Sequence, residues 1–146
     1  MNVKKLIIAF VVVFIVLELT NLLIHNVILA STYAKEEISK VFRPESEIQA
    51  KIWIGLVVDL IWSFFFVFIF VKGYENKGWL EGLRYGIYIG LFMSLPAAYY
   101  QYMVYPLPYY LTFQWFIYGF IQYVILGIIT ALIYKSKEKP AEATTA

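Results

Sequence analysis

Four long apolar runs constrain this chain more than any other feature in it. They occupy residues 6–29, 52–71, 79–103 and 111–134 and leave only short connections between them. A helix rises 1.5 Å per residue, so about 20 such residues cross about 30 Å of hydrocarbon, where each segment has to satisfy its own backbone hydrogen bonds. The prediction is an all-α, polytopic membrane protein: four transmembrane helices in one bundle, forming a single domain over residues 1–146. Hydrophobic residues make up 62% of the chain and charged residues 15%. That leaves no room for a soluble catalytic module, and the lipid bilayer becomes the first expected partner. A net charge of +2 is too small to argue for nucleic acid, and the absence of cysteine excludes disulfides, thiolate metal sites and cysteine nucleophiles.

The connections set the orientation. The first run follows Lys4 and Lys5, and Leu6 to Leu17 alone has the look of a signal-peptide core. Its continuation to Ala30 reads as a retained helix, with Thr32-Tyr33-Ala34 as the alternative, a cleavage site. Residues 31–51 form a mixed-charge external loop. Tyr33, Ile38, Val41 and Phe42 are spaced as on a helix within it, so it is either a short amphipathic turn on the membrane surface ended by Pro44 or a solvated connector. Gly73 to Lys77 is a short polar turn, Pro96 is expected to kink the third helix, and the uncharged hairpin Tyr99 to Tyr110 carries six tyrosines as an interfacial belt. Residues 140–146 are expected to be a disordered tail. Lys4, Lys5, Lys72, Lys77, Lys135, Lys137 and Lys139 then share one side, against Lys35, Lys40, Arg43 and Lys51 on the other. By the positive-inside rule the protein sits in the cell inner (plasma) membrane with both termini cytoplasmic.

The third run carries a ridge of small residues. Gly78, Gly82, Gly86, Gly90, Ser94 and Ala98 recur every fourth position, and such a ridge lets helix backbones approach closely in lipid. A four-residue spacing drifts about 40° per step round a 3.6-residue helix, so different neighbours are expected at its two ends.

Polar residues inside the apolar runs are the candidates for function. Glu18, Asn21 and His25 fall on one stripe of the first helix, and Asp59 in the second lies at about the same depth as Glu18. Carboxylates cost about 2.5 to 3.5 kcal/mol at the bilayer centre on insertion scales, so they are expected to face the interior, pair, or carry a proton. With Ser94, Gln114, Tyr118 and Gln122 they outline a polar cavity in the outer half of the bundle, either a proton relay or a hydrogen-bond cluster that fixes packing. Glu18 and His25 are seven residues apart, about 10 Å along a helix, which argues against one metal ion. A single histidine excludes bis-histidine haem within one chain. No cofactor is therefore expected. Near the start of the third helix, Glu81 and Arg84 are expected to form a local ion pair. No phosphate loop, dinucleotide fingerprint, nucleophile elbow or zinc-protease motif occurs. The tyrosines of the hairpin, with Trp115, either anchor the headgroup region or line an entry for an aromatic, quinone or carotenoid-like ligand.

The segments KGYENKGWLEGLRYGIYIGLF (Lys72 to Phe92) and QWFIYGFIQYVILGIITALIY (Gln114 to Tyr134) resemble those of small four-span bacterial inner-membrane proteins of unknown function, a resemblance that implies a fold and no activity. A carboxylate in the first of four helices is also similar to that of the small multidrug resistance transporters; the resemblance carries over at Glu18 alone and implies proton-coupled exchange there. The expected function is non-enzymatic: binding of a membrane protein partner, a second copy of the chain, or lipid, for instance as an accessory subunit. The alternative is a small proton-coupled carrier.

Overall fold

The computed structural model of the protein describes residues 1–135. The predicted tail and Lys137 and Lys139 lie outside the described residues. No strand occurs among the described residues, so the chain is all-helical. The elements are α1 (Val3–Asn21), a π-helical segment (Leu22–Ile28), three short helices α2 (Ala30–Tyr33), α3 (Glu36–Ser39) and α4 (Glu45–Gln49), then α5 (Ile52–Lys72), α6 (Trp79–Val104) and α7 (Tyr109–Tyr134). Three of the helical stretches are long and apolar enough to cross a membrane: Val3–Ile28, Ile52–Lys72 and Tyr109–Tyr134. This makes the chain a membrane protein. Helix α6 is as long as α7, but Glu81, Arg84, three glycines and five tyrosines lower its hydropathy.

The long helices pack in the order α6, α7, α1, α5, with α6 against α7 the most extensive pairing. Small residues explain it. A Cβ on Gly82 would run into the Gly127 carbonyl and stand 2.6 Å from the Ala131 Cβ, and one on Gly86 would stand 2.7 Å from the Val124 Cα. The groove of α6 is thus filled by the backbone of α7. Against the expectation of different neighbours at its two ends, the ridge follows α7 from Gly82 through Gly86 and Gly90 to Ser94, which packs on Gly119, and Ser94 and Ala98 also line a cavity. Gly78 departs from expectation: nothing lies within 4 Å of a Cβ there. It caps α6 with φ +73° and ψ −153°, a conformation open essentially to glycine alone.

A core of Leu6, Ala9, Val13 and Leu17 from α1, Phe66, Val67, Phe70 and Val71 from α5, and Leu126, Ala131 and Tyr134 from α7 joins the helices. It lies toward the end of the molecule that holds both Asn2 and Lys135. There the Asn2 backbone N–H donates to the Tyr134 hydroxyl at 2.9 Å, and Lys5 donates to the Lys135 carbonyl. At the opposite end the connector folds back rather than extending. Ile38 is fully buried with Leu107 and Leu111, and Tyr33, Val41, Phe42 and Trp115 pack around them. The helical spacing read in residues 33–42 therefore marks a small second core that caps the α6–α7 hairpin.

Candidate functional site

Gln122 of α7 ties the helices together at mid-length. Thr20 donates its hydroxyl back to the Val16 carbonyl at 2.8 Å, which leaves its oxygen lone pairs for Gln122 Nε2 at 2.6 Å. The second hydrogen of the same amide goes to Asn21 Oδ1 at 2.9 Å. Asn21 in turn donates through Nδ2 to Asp59 Oδ2 at 3.2 Å. Glu18 lies one helical turn before Asn21 on α1, and its Oε1 is buried with no partner. Of the eight polar residues singled out from the sequence, Asn21, Asp59 and Gln122 are thus joined in one hydrogen-bonded cluster, with Glu18 one helical turn from Asn21. Thr20 completes it and carries no signal in the sequence beyond its helical neighbourhood.

His25 belongs to a second arrangement. It lies in the π segment, where the Leu29 N–H reaches back five residues to the Ile24 carbonyl at 2.8 Å. The widened turn keeps both His25 and Asn21 on the wall of a cavity of about 330 Å³ between the π segment, α6 and α7. Tyr33 organises this end. Trp115 Nε1 donates to the Tyr33 hydroxyl at 2.7 Å, and that hydroxyl lies 2.7 Å from His25 Nδ1, with the two rings stacked. An indole N–H can only donate, so the Tyr33 oxygen accepts from Trp115, and the histidine tautomer sets which atom donates in its second contact, with His25 Nδ1. Burial pushes the Tyr33 phenol above its usual range, partly opposed by the Trp115 N–H.

Asn21 and Gln122 line this cavity as well as making the cluster, so the two arrangements share a wall. Ser94, Tyr118 and Gln101 also line it, and the Ser94 Oγ is buried without a hydrogen-bond partner. Gln114 lies apart from the cavity, with its Oε1 buried and unpartnered. Tyr33 and Gln101 were not singled out as polar candidates by position; Tyr33 falls eight residues after His25, two helical turns on, which is the signal that marks it. Among the described residues no group of three His, Cys, Asp or Glu side chains stands close enough to hold a metal ion.

At the end that holds Asn2 and Lys135, the expected Glu81–Arg84 pair is replaced by a different arrangement. Arg84 pairs with Glu75 at 2.8 Å, and Lys77 joins Glu75 at 2.7 Å. Glu81 is buried and accepts from the backbone N–H groups of Glu75 and Lys77 at 2.6 and 2.9 Å. It therefore holds the turn at the start of α6, where a carboxylate also complements the positive end of the helix. Lys77 and Arg84 beside it hold the Glu75 carboxyl well below the usual carboxylate range, at about 2. Comparison with known protein families, with curated proteins and with solved structures finds no match for this chain.

Proposed function

We propose that the chain is a non-enzymatic, four-span protein of the inner (plasma) membrane that binds a helix of another membrane protein, as an accessory subunit, with both termini cytoplasmic. The seven lysines placed on the terminal side by the sequence support this orientation. The pairing of α6 with α7 along its length supports counting α6 as the fourth span.

One observation carries the partner reading. In α5 every buried residue comes after Asp59, namely Ser63, Phe66, Val67, Phe70 and Val71, while residues 52–58 are exposed all round. Lipid suits the apolar side chains of that half-helix, but not Asp59 and Glu18 at its foot, both of which are half-exposed. The partly exposed Asp59 and Glu18 fit a partner helix carrying a basic or hydrogen-bond-donating side chain at this depth. The small-residue ridge, by contrast, is filled by α7 and is left to internal packing.

Photo-crosslinkers placed at Leu56 and Leu60, in the native membrane at native expression, test this reading. One protein adduct of defined mass is expected, lost in Glu18→Gln with Asp59→Asn and absent for a crosslinker at Phe92 on α6. Adducts with lipid alone at all three positions would overturn it. The second reading, a proton-coupled carrier, is favoured by Asp59 being bonded to Asn21, one helical turn from Glu18, which gathers two intramembrane carboxyl groups in one place. It predicts proton-linked uptake that Glu18→Gln abolishes.

A further inference from the structure

We infer that the cavity between the π segment, α6 and α7 is a binding site for a flat, neutral, carbonyl-bearing ring of the quinone class, taken up from the membrane. This inference is independent of the partner reading, which concerns the far side of α1. The cavity's volume of about 330 Å³ lies at the lower end of the range for small-molecule sites, the size of a single-ring headgroup.

Its chemistry selects the ligand. No side chain with a formal positive or negative charge lines it, so an ionic ligand has no counter-charge there. Several polar side chains line it without a protein hydrogen-bond partner: the Ser94 hydroxyl, in a residue only 5% exposed, the Gln101 amide, and the Tyr118 and Tyr123 hydroxyls. His25 turns Nδ1 to Tyr33, which leaves Nε2 unengaged. The Gln122 N–H groups are spent on Thr20 and Asn21. Unspent donors on α6 (Ser94, Gln101) and α7 (Tyr118, Tyr123) call for a ligand with acceptors at separate edges, and ring carbonyls meet that requirement. Trp115 and Tyr118 supply aromatic walls for a planar ring. Trp115 is held in place by its bond to Tyr33. An unsatisfied buried hydroxyl costs about 1 to 3 kcal/mol, which a carbonyl acceptor would recover.

Native mass spectrometry of the full chain in lipid nanodiscs, with decylubiquinone as the probe and decylbenzene as the carbonyl-free control, tests the inference. A one-to-one adduct with decylubiquinone and none with decylbenzene is expected. Ser94→Ala and His25→Phe should each weaken the adduct about five- to tenfold, as the loss of one hydrogen bond does. Ala97→Leu, which fills the cavity from a position with an exposed side chain, should abolish it. Equal binding of the two probes, no adduct up to the solubility limit of decylubiquinone, or an adduct unchanged in Ala97→Leu with an unaltered unfolding temperature would each overturn it. Retention of anionic phospholipid in place of the quinone would do the same.

Discussion

Gly82 and Gly127 lie backbone to backbone, so that a Cβ added to either would run into the carbonyl oxygen of the other. Neither carbonyl can move without shifting its helix. Gly82→Leu and Gly127→Leu are therefore expected to cost about 1 to 3 kcal/mol or more, the scale of overpacking. Gly90→Ala meets the Phe120 ring at 3.0 Å, a side chain that can yield, and Gly55→Ala meets nothing within 4 Å. Thermal unfolding in detergent should rank the variants in that order, with Gly55→Ala unchanged.

Gly78→Ala should destabilise for a different reason. Its surroundings are open, so the cost is the backbone conformation itself, about 1 to 3 kcal/mol. Cysteine accessibility at Lys77→Cys, rising in the Gly78→Ala background, would report a loosened turn before the helices part. No change in accessibility or unfolding temperature would contradict the conformational role.

Gln122→Leu removes the amide that serves Thr20 and Asn21 together. The apolar replacement fits the helix but leaves Asn21 Oδ1 without its donor. A loss of about 1 kcal/mol is expected, at the scale of polar contacts between membrane helices. Combining it with Asn21→Leu should restore part of the loss in an unfolding titration with a denaturing detergent. Additive losses would mean the two side chains act separately.

The pH response of the α6 turn follows from Glu75. Its folded pKa, about 2, lies below the ordinary 4.5, so its ion pairs contribute fully above pH 4.5 and are lost as pH falls toward 2. Carboxyl-carbon NMR should show Glu75 titrating near 2. Glu75→Gln should flatten the stability profile in that window, and a Glu75 midpoint near 4.5 would show that Arg84 and Lys77 do not hold it.

Tyr33 responds at the other end of the scale. Because burial raises its phenol above the usual 10, the neutral form is favoured in the folded protein, and stability falls as pH rises past 10 toward the folded value. Tyr33→Phe keeps the ring but frees the indole N–H. Trp115 emission should shift and the alkaline loss shrink; an unchanged spectrum would exclude the hydrogen bond.

Much of this architecture is legible in the residues themselves. Apolar length marks three of the long helices, α6 being less apolar, and the observed bounds of all four differ from the expected ones by no more than about three residues, the normal uncertainty of helix ends. The lower ridge is legible because small residues at a four-residue spacing have one use in a helix. Gly78 shares that spacing, but its positive φ depends on how the turn closes, which no spacing records. The π segment LLIHNVI has nothing in its composition to separate it from an α-helix. Arg84 had two carboxylates within reach, and backbone donors captured Glu81, leaving Glu75 as its partner. The polar cluster was readable in Glu18, Asn21, Asp59 and Gln122, because polar groups at matching depth seek one another. Trp115 and Tyr33, whose partners come from opposite ends of the sequence, required the fold.

The bond from Gln122 to Asn21 spans 101 residues. At a synthesis rate of about 5 to 20 residues per second, the first helix waits about 5 to 20 s in the membrane before its acceptor for that amide is met. Asp59 of α5 reaches Asn21 earlier, 38 residues on, but Thr20 and the Asn21 amide oxygen wait for α7. α7 is thus the helix that seals α1, and whatever sheltered these groups until then has to leave as α7 arrives.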